Sequence, residues 1–228
     1  MASLLFIHGA CSTGDIWSRQ RRHFPHGFFP TLPGFSGVAE DRLISAWANW
    51  LADTYPHPWW IVAHSLGGAV AATMVRRFPD RVAGWIAVGT APLLTVNPSL
   101  MESLTTAPRQ ALTEISQRSL APTCSAALRA ASRSQILRYP IALARRQFAA
   151  AHQFDASGWL SNILPAKAVI VGRDDRMVPV AQSQRFADFW PATPVHQIAD
   201  AGHLVMIERP NAFDTLLATL LPDVLVRD

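Results

Sequence analysis

The chain has 228 residues, half of them apolar and 16 % charged, with a formal charge of +4 carried by arginines scattered from Arg19 to Arg227. That length suffices for one domain with a sizeable core, no apolar run approaches the ~20 residues that span a bilayer, and the N-terminus lacks the charged segment of a secretory leader. The cations form no block and do not alternate with aromatics as on a nucleic-acid surface, so neither a membrane span nor a nucleic-acid partner is expected.

Short apolar runs alternate with helix-like stretches along the chain. "SLLFIH" (3 to 8) reads as a strand, Asp41 to Asp53 as an amphipathic helix with Leu43, Ile44, Trp47, Trp50 and Leu51 at helical spacing, and "WWIVA" (59 to 63) as a second strand. A helix over Gly68 to Phe78 follows, then "GWIAVG" (84 to 89), "AKAVIVG" (166 to 172), "VHQI" (195 to 198) and a last helix over Ala212 to Leu221. Fully apolar strands separated by helices predict an α/β chain with a parallel sheet covered on both faces. From about Leu93 to Ala156 no strand is apparent; helix-like segments punctuated by Pro98, Pro108, Pro122 and Pro140 predict a helical lid at 93–156 inserted between core segments 1–92 and 157–228. Cys11 and Cys124 show neither a disulfide framework nor metal-ligand spacing, which fits reduced thiols in a cytoplasm and no metal.

"IVAHSLGGAVAAT" (61 to 73) ends an apolar run in a serine and enters a helix of small residues. A serine held on a sharp strand-to-helix turn needs small residues two positions before and after it; these are Ala63, where glycine is usual, and Gly67. Activation of Ser65 requires a base, and the base an orienting carboxylate. Asp174 and Asp175 follow the strand ending at Gly172, and His203 lies in the loop before the last helix, giving the chain order Ser, Asp, His. Two backbone N–H groups must bind the developing oxyanion; those of Ala10, in "HGACS", and Leu66, after the serine, are predicted to do so. His8 is expected to order the "HGA" loop, Cys11 to act as an apolar filler, and Trp17, Trp159 and Leu204 to contact substrate.

The segments "FIHGA", "LPGFSG", "AHSLGG", "GRDDRMVP" and "AGHLVMIERP" together resemble the α/β-hydrolase fold superfamily over nearly the whole chain. The resemblance implies a mostly parallel sheet flanked by helices and, with the first strand starting at once, no N-terminal hairpin. It selects Asp175 over Asp174, because the family's acid generally lies three residues after the strand-end glycine. "IHGACSTGDIW" is similar to the compact plant methylesterase and hydroxynitrile lyase branch; the lyases' Thr and Lys are replaced by Gly9 and Leu204, and Ser65 stands where dehalogenases carry Asp. The resemblance thus implies a serine carboxylesterase that needs no cofactor and acts on a small-molecule ester, with Ser65, His203 and Asp175 as its triad. Arg129, Arg133, Arg138, Arg145 and Arg146 in the lid are similar to those of biotin-pathway esterases, which implies an acyl carrier protein as a further partner. Lactonase or carbon–carbon bond hydrolase chemistry would use the same triad, and a non-enzymatic binding module is the alternative of a different class.

Overall fold

The computed structural model describes residues 2–226. In chain order they form β1 (Ser3–Ile7), α1 (Gln20–His23), α2 (Glu40–Thr54), β2 (Trp59–His64), α3 (Leu66–Arg77) and β3 (Val82–Val88). Four helices follow without an intervening strand, α4 (Pro98–Thr106), α5 (Pro108–Arg118), α6 (Ala126–Leu137) and α7 (Ile141–His152). The chain closes with β4 (Ala168–Gly172), α8 (Val180–Gln184), β5 (Val195–Ile198), α9 (Val205–Glu208) and α10 (Pro210–Leu220).

The five strands form one sheet in the order β1-β2-β3-β4-β5, every neighbouring pair parallel. Successive side chains on a strand point to opposite faces, and both faces are covered. Leu5, Ile7, Ile61, Ala63, Ala87 and Val169 pack in one core with Leu43, Trp47 and Leu51 of α2 and the small residues of α3. Leu4, Phe6, Val62, Ile86, Val88 and Ile170 pack in the other with Phe213 and Leu217 of α10. Each fully buried large apolar side chain contributes about 1.5–3 kcal/mol relative to exposure, which explains why runs such as "WIVA" and "AVIVG" contain no alternating polar positions. Parallel pairing in the registers Ile7↔Ala63, His64↔Val88 and Gly172↔Ile198 brings the C-terminal ends of the strands to one edge. The segments carrying Gly9, Ser65, Asp175 and His203 all leave the sheet there, the edge at which open parallel sheets bind ligands.

The region from 93 to 156 begins and ends at one place: Leu93 bridges Asp155, and the Leu94 N–H donates to the Phe154 carbonyl. Three of its four prolines stand at helix starts. Pro98 and Pro108 occupy the first positions of α4 and α5, Asn97 caps α4 through its side chain, and Pro140 precedes α7. A third apolar cluster, containing Leu100, Leu104, Leu112, Ile115, Ile136 and Phe148 together with Cys11, joins these helices to the loop after β1. Among the described residues no helix is long and apolar enough to cross a membrane.

Candidate active site

Ser65 occupies the single position between β2 and α3, with φ 54° and ψ −122°. A residue with a Cβ rarely adopts positive φ; it persists here because the surroundings over-determine it. Its N–H donates to the Val88 carbonyl (2.9 Å), and its carbonyl accepts from the Gly68 N–H (2.8 Å). A Cβ at Gly67 would stand 2.7 Å from the Ile7 and His8 carbonyl oxygens, so the turn excludes any larger residue there. Ala63 is fully buried against the α3 side of the sheet.

Asp175 and His203 meet 28 residues apart in sequence, with His203 Nδ1 2.8 Å from Asp175 Oδ2. The other carboxylate oxygen, Oδ1, accepts the N–H groups of Met177 and Val178, each at 2.8 Å. The Asp175 side chain is fully buried and that of His203 nearly so. Because a carboxylate accepts, Nδ1 carries the proton and Nε2 presents its lone pair. Ser65 and His203 line the same small cavity. Among the described residues Nε2 and the Ser65 hydroxyl hydrogen-bond neither each other nor another group, which is common before substrate aligns them. Asp174 is half-buried, with its N–H bonded to the Ala201 carbonyl.

The loop after β1 approaches Ser65 closely. A Cβ at Gly9 would come within 2.8 Å of Ser65 Cβ and 2.9 Å of His64 Nδ1. The Leu32 N–H donates to His8 Nε2 (2.9 Å), so Nδ1 carries the hydrogen donated to the Gly9 carbonyl at 2.7 Å. Burial pushes the His8 pKa down to about 4 and keeps the ring neutral. The Gly9 carbonyl and the Ala10 N–H belong to one peptide plane; the bond from His8 therefore fixes the direction of that N–H. The next plane is held from α7, where Gln147 Oε1 accepts the Cys11 N–H at 2.9 Å. Ala10, Ser65 and Leu66 line one larger cavity together, and among the described residues the N–H groups of Ala10 and Leu66 donate to no other protein group.

Two residues expected to contact substrate lie elsewhere. Trp17 is fully buried on the α10 side of the sheet, packed against Phe6 and Phe213, with its ring edge to His64. It sits there because Ile16 and Trp17 are the apolar residues that a short helical turn turns into that core. Trp159 lines a separate cleft with Asp41 and Arg76, whose guanidinium lies over its ring. Leu204 does line the cavity with Ser65. Cys11 is buried and adopts φ 53°, and burial raises its thiol pKa to about 12; it is a thiol in an apolar cluster with no thiolate character.

Three contributors are not evident in the sequence. Gln147 is a fully buried polar residue on the apolar face of α7, and that placement is the one sequence signal that could have revealed it. Glu208 Oε1 accepts the Gly202 N–H (2.8 Å) and Oε2 the Ala121 N–H (2.7 Å), linking the His203 loop to the segment after α5. His64 donates Nε2–H to the His203 carbonyl at 3.0 Å; burial, then the neighbouring His203, holds its pKa well below the ordinary range. Among the described residues no group of three His, Cys, Asp or Glu side chains is arranged to hold a metal ion.

A five-stranded parallel sheet with a strained serine between strand and helix, facing a His–Asp pair at the same edge, defines the class of α/β hydrolases. The chain belongs to the alpha/beta hydrolase family, whose model matches residues 4–215. It is 32% identical over 99 residues to the pimeloyl-[acyl-carrier protein] methyl ester esterase of Aromatoleum aromaticum, a match covering 42% of this chain and 40% of that one. The match thus spans about two fifths of the length of that curated relative. A thermophilic esterase from Thermogutta terrifontis superposes with a TM-score of 0.80 at 22% identity, covering 100% of this chain and 91% of the other. An esterase from Exiguobacterium antarcticum gives 0.83 at 14% identity, covering 96% and 92%. The structural likenesses share the fold.

Proposed function

We propose that the chain is a serine carboxylesterase in which Ser65 is the nucleophile, His203 the general base and Asp175 its orienting acid. The observation that carries this reading is the buried Asp175–His203 hydrogen bond at 2.8 Å beside a serine in a strained turn. His203 Nε2 takes the hydroxyl proton as Ser65 Oγ attacks the ester carbonyl carbon. The charge on the carbonyl oxygen is met by the N–H groups of Ala10 and Leu66, whose fixed orientation avoids reorganisation during the reaction. The C–O bond to the alcohol breaks as His203 returns the proton to the departing oxygen. Water then attacks the acyl-Ser65 by the same route and releases the acid, with no cofactor required.

Labelling with a fluorophosphonate, with Ser65→Ala as control, tests the reading. Wild type is labelled and Ser65→Ala is not, and turnover of a short aliphatic ester falls by ~10⁴-fold in the variant. Retention of a tenth of the activity overturns the assignment of Ser65.

A second reading, a methylesterase for an acyl chain on an acidic carrier protein, draws on the Aromatoleum relative and on the arginines of α6 and α7. Arg129 and Arg146 are occupied within the chain, Arg129 by carbonyls at 121–124 and Arg146 by Phe35, Val38 and Glu40. Arg133, Arg138 and Arg145 are exposed, and their side chains make no hydrogen bond or ion pair among the described residues. Charge reversal at these three raises KM for a carrier-linked ester while sparing a small soluble one under this reading; equal effects on both count against it.

A further inference from the structure

Two cavities of unequal size meet at Ser65. One, of about 300 Å³, is lined by Leu66, Leu94, Val96, Leu100 and Val178. The other, of about 60 Å³, is lined by His203, Leu204, Ile207, Ile136 and Ile115. Ala10, Ser65, Phe148 and Met177 are common to both, so a single tetrahedral centre on Ser65 can extend one substituent into each.

Resting on the proposed triad, the chemistry decides which substituent goes where. When the tetrahedral intermediate collapses, the bond that breaks is the one to the alcohol oxygen, and that oxygen must receive the proton from His203 Nε2. The alcohol therefore lies on the histidine side, in the cavity that His203 lines. The acyl chain lies opposite, in the larger cavity, which Leu66 lines and His203 does not. At about 30 Å³ for each water-sized group, the histidine-side cavity holds roughly two such groups and the other roughly ten.

We propose that the enzyme is selective for esters of a one- or two-carbon alcohol with a longer, unbranched and largely apolar acyl chain, and that Ile136 sets the alcohol limit. Ile136 and Ile115 are buried in the packed cluster of α4 to α7, and close-packed side chains do not withdraw to admit a bulky group. The walls of the larger cavity are mainly aliphatic, with Thr95, Asn97, Gln182 and Arg118 as the polar residues. Arg118 is engaged by Glu114 (3.1 Å) and by the Arg176 carbonyl (2.9 Å), so no unpaired cation there calls for a charged acyl terminus.

The test is acid release in a pH-stat from methyl, ethyl, butyl and benzyl hexanoate and from methyl acetate. The methyl and ethyl hexanoates are turned over with kcat/KM at least about tenfold above the butyl and benzyl esters, the scale of a methylene-level fit in an apolar pocket. Ile136→Ala raises the butyl-to-methyl ratio by about tenfold and leaves the hexanoate-to-acetate ratio of the methyl esters unchanged. Leu100→Phe, on the other side, lowers hexanoate against acetate and leaves the alcohol ratio alone. Equal turnover of benzyl and methyl hexanoate by the wild type overturns the proposal even if the variants fail to fold, as does an Ile136→Ala variant that alters acyl-length preference instead. Absence of both fluorophosphonate labelling and all ester turnover overturns the serine-hydrolase reading beneath it; labelling with turnover but no alcohol-size dependence overturns this assignment alone.

Discussion

Mild acid should loosen this protein through the histidine that aims Ala10. In the folded chain His8 accepts the Leu32 N–H at Nε2 and donates from Nδ1 to the Gly9 carbonyl; a proton added at Nε2 would face another N–H in a fully buried site. Its pKa is accordingly lowered from 6.5 to about 4, chiefly by burial. The unfolded chain takes up the proton near pH 6.5 and the folded chain only near pH 4, so stability present above 6.5 is lost as pH falls through that window. The interval corresponds to about 3 kcal/mol from His8 alone. For a chain of this length that amounts to a Tm lowered by ~6–12 °C. His64 is depressed for the same reason and adds to the effect. Calorimetric Tm values at pH 7, 5.5 and 4 for wild type and His8→Gln isolate the contribution: the variant starts lower and loses less on acidification. Parallel curves for the two proteins, or a His8 ring that titrates near 6.5 by NMR, would refute the reasoning.

Asp175→Asn should lower kcat by ~10⁴-fold by favouring the wrong His203 tautomer, whereas Asp174→Asn changes it less than about threefold because no catalytic group depends on that side chain; the reverse ranking in steady-state assays would mean the wrong carboxylate was chosen. Glu208→Gln leaves one acceptor for two buried N–H groups and turns an NH₂ against the other, a cost of about 3 kcal/mol, to be read as a lower midpoint in urea. Ala63→Val adds two methyl groups where the side chain is fully buried between the sheet and α3; it should cost about 1–3 kcal/mol and lower kcat through the displaced turn, and unchanged activity with unchanged Tm would count against the packing argument.

Much of this arrangement was legible because it is carried by short-range chemistry. Strands built from apolar β-branched and aromatic runs have one way to be buried on both faces, and all five lie where "SLLFIH", "WWIVA", "GWIAVG", "AKAVIVG" and "VHQI" predict, within about two residues at their ends. The prolines at 98, 108 and 140 declare helix starts without any knowledge of tertiary contacts. Ser65, Asp175 and His203 were legible because each follows a strand end, and parallel strands bring those ends together. Trp17 and Trp159 were not: an aromatic near a site in sequence carries no information about which face of the sheet it enters. Gln147 and Glu208 act on backbone N–H groups 136 and 87 residues away, and such pairings have no local signature.

Those same long-range bonds bear on how the region over the site behaves. Between 117 and 121 the chain offers its carbonyls at Gln117 and Leu120 to Arg176, its Ser119 carbonyl to the Leu204 N–H, and its Ala121 N–H to Glu208. One five-residue stretch therefore holds the loop carrying Asp175 and the loop carrying His203 in a single frame, while Gln147 of α7 holds the loop carrying Ala10. Swinging this region away as a unit would strip the buried Ala121 N–H of its Glu208 acceptor and the buried Cys11 N–H of its Gln147 acceptor, each at a cost of about 1–3 kcal/mol, and would also break the more exposed bonds to Arg176.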